Sequence, residues 1–154
     1  MDYTREQITD VADELRRVVD AAAEDLSRVD DAAASVRPAP GKWCYKEIVG
    51  HLIDSASNNH QRFVRAPGLN LFAFPGYEQD GWVAMQGYPD RDWLELIALW
   101  RLYNRHLADI VVRISEPDLR VECRIGAYEP SSLGYLVEDY LVHLKHHLKA
   151  LPVR

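Results

Sequence analysis

Four stretches of this chain repeat apolar residues at three- and four-residue steps, and each is followed by proline or glycine. That period matches the helical turn and not the two-residue alternation of a half-buried strand, so each stretch reads as an amphipathic helix. The first runs from about Thr4 to Arg28, with Ile8, Val11, Leu15, Val18, Ala22 and Leu26 on one face. Pro38, Pro40 and Gly41 then force a short connection. The second helix starts near Cys44, where Cys44 and Glu47 have the spacing of a capping box with cysteine in place of the usual hydroxyl, and runs to about Arg65. The third, capped by Asp90 or Asp92, carries Trp93, Leu96, Ile97, Trp100, Tyr103, Leu107, Ile110 and Ile114 as far as Pro117. The fourth, capped by Ser131 or Ser132, carries Leu133, Leu136, Val137, Tyr140, Leu141, Leu144, Leu148 and Leu151 before Pro152.

The connections carry weaker signals. From Pro67 to Pro89 the chain is rich in glycine, proline and aromatics and reads as a long loop, with one helical turn around Gln79 to Gln86. Loops of this length in a compact domain are often functional, and its Phe72, Phe74, Tyr77, Trp82 and Tyr88 suit either a wall over a site or a plug for the bundle end. Val121, Cys123 and Ile125 alternate with polar residues, but Gly126 ends the pattern, so the segment from Asp118 to Pro130 reads as an irregular connection crossing the bundle. Four long helices without a substantial strand imply an all-α four-helix bundle. The length of 154 residues fits a single domain spanning 1–154 with a real core.

Charge and composition exclude several roles. The net charge is −6 and no basic run occurs, which argues against nucleic-acid binding because phosphate contacts need clustered Lys and Arg. No apolar run is long enough to span a membrane, and the N-terminal segment lacks a signal-peptide core, so a soluble cytoplasmic protein is expected. Cys44 and Cys123 are isolated, belong to no Cys-x-x-Cys pair and read as reduced structural thiols.

The histidines carry the chemistry. His143 and His147 are four residues apart on the fourth helix and therefore stack on one face, where two imidazole nitrogens can converge on one ion. His147 falls within the apolar stripe, His143 at its edge beside Asp139, and His146 points toward solvent. On the second helix, Ile48, Leu52, Ala56, Asn59 and Phe63 mark the apolar side, while His51 shares the other side with Glu47, Asp54, Ser55, Asn58 and Arg62. That polar row is either an ordinary solvated face or the lining of a cleft in which His51 supplies a third nitrogen, and spacing alone leaves both open. His60 and His106 lack a histidine or carboxylate four residues away and read as non-ligands.

Beyond periodicity, the segment Gly41 to Phe63, with Trp43, Glu47, His51, Asp54, Ser55, Asn58, Asn59 and Arg62, resembles the second-helix signature of the DinB superfamily and its YfiT-like branch. Further similar segments are Pro75 to Trp82, Trp100 with Asn104 and His106, and Tyr140 to His147, in the same order along the chain. Cys44, and Lys149-Ala150 where Gln-Ile often follows, depart from the pattern. The resemblance implies a bundle, often dimeric, with one divalent metal held by His51, His143 and His147. It also implies a metal-dependent hydrolase or a transferase that conjugates a low-molecular-weight thiol to a small molecule. Three nitrogen ligands suit zinc or nickel first, with cobalt and iron as alternatives. Asp54, Arg62 and Asp139 are the candidate catalytic or substrate-binding groups, with Glu47 a further candidate for orienting an imidazole. Arg62 suits a substrate carboxylate, and Tyr77 and Trp82 suit the pocket wall. The rival readings are a non-catalytic metal-binding stress-related bundle and a homodimer formed through exposed aromatics of the third helix.

Overall fold

The computed structural model describes residues 3–154. Its four long helices are α1 (Arg5–Leu26), α3 (Tyr45–Arg65), α5 (Trp93–Val111) and α6 (Leu133–Leu148). Each starts where a side chain can satisfy free backbone N–H groups. Thr4 and Gln7 form a reciprocal capping box on α1, Asp92 accepts from Glu95 N–H at 2.9 Å on α5, and Ser132 accepts from Tyr135 N–H at 3.2 Å on α6. At α3 the carboxylate of Glu47 accepts from the backbone N–H of Cys44 at 2.9 Å. Helix α1 ends two residues before Arg28, and α5 ends at Val111, well short of Pro117.

Substantial contacts join α5 to both α1 and α3, and α6 to both α1 and α3. The cyclic order is therefore α1, α5, α3, α6, and the first two long helices stand diagonally across the bundle. The chain makes that crossing through the short helix α2 (Asp31–Ala34) and the proline-rich segment after it. Asp31 secures the crossing: its carboxylate pairs with the buried ammonium of Lys46 on α3 at 2.9 Å and accepts from the Trp93 N–H that opens α5 at 2.9 Å. Trp93, Trp100, Phe63, Leu15, Leu52 and Leu144 are almost fully buried where the four helices meet. Burial of such side chains contributes about 1.5–3 kcal/mol each.

An all-α description needs correction, because a small three-stranded sheet sits at one end of the bundle. Strand β1 (Leu71–Phe74) pairs in parallel with β2 (Glu122–Ile125), which pairs antiparallel with the two-residue β3 (Ser131–Ser132). The brief alternation of residues 121–125 is thus a true strand signal, with Cys123 and Ile125 buried and Glu122 and Arg124 exposed. The long loop is also more ordered than its composition implies, since β1 is followed by α4 (Gln79–Gln86). Beyond the strands, Gly126 adopts φ +54° and comes so close to Gly76 that a Cβ there would stand 3.0 Å from the Gly76 nitrogen. This close approach, possible for glycine at positive φ, sets the turns after β1 and β2 against each other. They form one wall above α3 and α6.

The two cysteines are free and buried. Among the described residues, no helix is long and apolar enough to cross a membrane. The aromatics of α5 do not form an exposed face: Trp93 and Trp100 are buried and Tyr103 is half-buried, because all three point into the bundle. The large exposed apolar residues of that helix are Leu94, Leu99 and Leu102.

Candidate metal centre

Helix α3 lies between α5 and α6 and is also covered by α4, so both its faces are enclosed. The polar row is consequently no solvated surface. Glu47, His51, Asp54, Ser55 and Asn58 are all buried, and Arg62 is half-buried. His51 is 1% exposed and meets His143 and His147 across the α3–α6 interface.

The three imidazoles converge through Nε2. The Nε2 atoms of His51 and His143 are 3.4 Å apart, those of His147 and His143 are 3.1 Å apart, and one ligand atom from each ring lies within 4.8 Å of the others. Nitrogens held tetrahedrally at about 2.0–2.1 Å from an ion stand about 3.3–3.4 Å from one another, so this spacing fits a single transition-metal ion. The chemistry of the rings fits as well. Burial, reinforced by the neighbouring histidines, lowers the pKa of His51 to about 3 and that of His147 to about 4. Burial also lowers that of His143, opposed by the nearby Asp139 carboxylate. All three rings are therefore neutral near pH 7 and offer lone pairs.

Groups behind the rings fix their orientation. Ser55 Oγ is 3.5 Å from His143 Nδ1, and the indole of Trp43 packs on His51 with ring centroids 5.1 Å apart. His51 Nδ1 is buried without a hydrogen-bond partner among the described residues. Asp54, three residues beyond His51, serves the packing of α4 instead, since its Oδ1 accepts from Tyr88 O–H and from Gln86 Nε2, each at 2.6 Å. Glu47 likewise faces away from the cluster, pairing with Arg37 and capping α3.

A cavity of about 780 Å³ opens from the histidines along α3. His51, Ser55, Asn59 and Arg62 form one side, and Asp139, Tyr140 and His143 of α6 the other. Tyr77 and Tyr128, from the turns after β1 and β2, form the third wall. Its size suits a small-molecule site. Of the residues singled out from the sequence, Arg62 and Asp139 line this space with His51 and His143, while Asp54 lies behind the wall. Tyr77 lines it too, but Trp82 belongs to an adjoining cavity of about 530 Å³ beyond Tyr77. His146 is exposed, and His60 bonds Tyr103 at 3.0 Å away from the cluster. Tyr128, Tyr135 and Tyr140 also line the cavity and escape a reading of the sequence: Tyr140 stands in an apolar stripe, and Tyr128 has no periodic neighbours. Only the place of Tyr140 one turn before His143 carries a signal.

Fold and site together define a helical bundle with a solvent-connected three-histidine centre. The sequence profile of the DinB superfamily matches residues 12–151, nearly the whole chain, and the chain belongs to that superfamily. Among solved structures, it resembles YfiT from Bacillus subtilis, described as a probable metal-dependent hydrolase with an unusual four-helix bundle topology. The TM-score is 0.84 at 18% identity, over 95% of this chain and 84% of that one, which establishes a shared fold. Curated proteins give no match.

Proposed function

We propose that this protein is a metal-dependent enzyme acting on a small molecule, with one divalent transition metal, zinc or nickel first, held by His51, His143 and His147. The observation that carries this reading is the 3.1–3.4 Å spacing of the Nε2 atoms beside a cavity of small-molecule size. Three protein ligands leave a coordination position open, which is the arrangement of catalytic and not of closed structural sites. A divalent ion bound there supplies Lewis-acid polarisation and acidifies a water or a low-molecular-weight thiol, so the same centre suits hydrolysis or S-transfer.

The protein's own groups do the rest. Ser55 holds the ring of His143 so that Nε2 faces the centre. Asp139 lies one turn before His143 on the cavity wall, exposed to solvent, and suits acceptance of a proton from the nucleophile. Tyr77, Tyr128 and Tyr140 restrict the water around a bound substrate.

The test is elemental analysis of untagged protein, wild type beside His51→Ala and His147→Ala. About one metal per chain, lost in both variants, supports the reading; wild type that stays metal-free after reconstitution overturns it. Loaded protein is then assayed on small-molecule esters and amides, and on electrophiles with and without a low-molecular-weight thiol. Consumption with water alone marks a hydrolase, and consumption only with thiol marks a transferase. Metal without turnover in either assay favours a non-catalytic metal-binding protein.

A further inference from the structure

The cavity holds a cation, Arg62, that forms no ion pair with a carboxylate among the described residues; Asp139, which lines the same cavity, acts on it through space, without a hydrogen bond. Arg62 is half-buried, and its Nε is buried without a hydrogen-bond partner among the described residues. Among the described residues its one polar side-chain contact runs from Nη1 to the neutral Asn59 Oδ1 at 3.3 Å. Its guanidinium also lies 5.8 Å from the centroid of the Phe74 ring. A partly desolvated arginine with no carboxylate bonded to it is costly unless a ligand supplies the paired negative charge.

Its position gives a length. His51, Ser55, Asn59 and Arg62 fall on one side of α3 and line the same cavity. The contact with Asn59 draws the guanidinium back toward the metal centre, to the level of a residue eight positions beyond His51, or about 12 Å of helical rise. The two ends differ in character, with neutral imidazoles at one and a fixed cation at the other. Glu78 and Glu129 also line the cavity and are exposed, so its mouth is acidic. An acidic mouth disfavours multiply charged anions, while an interior arginine favours a single planar anion that its fork can grip.

We infer that Arg62 is the specificity-determining residue for an elongated substrate that carries one terminal carboxylate about 12 Å from the group presented to the metal centre. The inference rests on the three-histidine reading above and adds the substrate class. Asn59 positions the guanidinium, and the tyrosine walls accommodate the chain between the two ends.

The test measures binding, by calorimetry, of linear alkyl hydroxamates of increasing length to zinc-loaded protein, the hydroxamate serving as the metal-directed head. Each length is used with a terminal carboxylate, the neutral carboxamide and a doubly charged phosphonate. Acetohydroxamate, too short to reach Arg62, reports on the centre alone. In the wild type the carboxylate binds at least about tenfold tighter than the carboxamide once the chain is long enough, as expected for charge-assisted hydrogen bonds. In Arg62→Gln that preference disappears while acetohydroxamate binds as before. Equal binding of carboxylate and carboxamide in the wild type, an advantage independent of chain length, or one that survives Arg62→Gln, overturns the inference. Tighter binding of the phosphonate overturns the monocarboxylate assignment. Failure of acetohydroxamate to bind zinc-loaded wild type overturns the metal-centre reading instead. The length series needs no variant, so it stands even where Arg62→Gln fails to fold.

Discussion

Gly50, immediately before His51, gives the sharpest test of how α3 is packed. A Cβ at this position would lie 2.1 Å from Tyr88 Cδ2 and 2.3 Å from Cγ, distances no side-chain adjustment of alanine can relieve. The ring of Tyr88 must move, yet it is 3% exposed and its hydroxyl donates to Asp54 at 2.6 Å. Overpacking of this kind costs about 1–3 kcal/mol. Pulling the hydroxyl from a buried carboxylate costs about 1.5–3 kcal/mol more. Against these, alanine in a helix interior gains about 0.5–1 kcal/mol over glycine. Gly50→Ala should therefore destabilise the metal-free protein by about 3 kcal/mol, lowering Tm by about 6–12 °C for a chain of this size. In a Tyr88→Ala background the clash and the hydrogen bond are both absent, so the sign reverses and Gly50→Ala raises Tm by about 2 °C. Thermal melts followed by far-ultraviolet circular dichroism on the four proteins of this cycle decide the matter. The reasoning fails if Gly50→Ala alone melts within about 2 °C of wild type, or if it costs as much without Tyr88 as with it.

Acid should weaken the metal-free protein before ordinary carboxylates titrate. The folded pKa values of His51 and His147, about 3 and about 4, lie below the unfolded value near 6.5, so the unfolded chain binds more protons in between. The stability from these neutral rings is complete above about pH 6.5 and is lost as pH falls toward the folded values; melts of chelated protein that stay flat between about pH 6.5 and 5 would contradict this. Ser55→Ala should leave the fold intact and weaken metal binding about tenfold, because His143 loses its Nδ1 neighbour at 3.5 Å. Competition with a chromogenic chelator measures it, and unchanged affinity would remove Ser55 from the site. In loaded enzyme, Asp139→Asn should lower kcat by about 100-fold or more with metal content unchanged, as expected for loss of a general base; a steady-state rate profile across pH checks it, and an unaltered kcat would assign the proton to another group.

Features that depend on neighbours along the chain were legible in the amino-acid order alone. Helical periodicity, caps and proline stops located the four long helices, because those signals act within one or two turns. For the same reason the spacing of His143 and His147 was enough to stack them on one face of α6. Features that join segments far apart emerged only once the chain was folded. Strand β1 pairs with β2 across α4 and α5, so residues 71–74 read as loop in the absence of their partner. His51 and His143 are separated by 92 positions, and no local rule brings them to 3.4 Å. Whether the polar row of α3 met water or a cleft depended on how many elements cover that helix. With α5, α6 and α4 all packed against it, both of its faces are enclosed, and the polar row becomes a site.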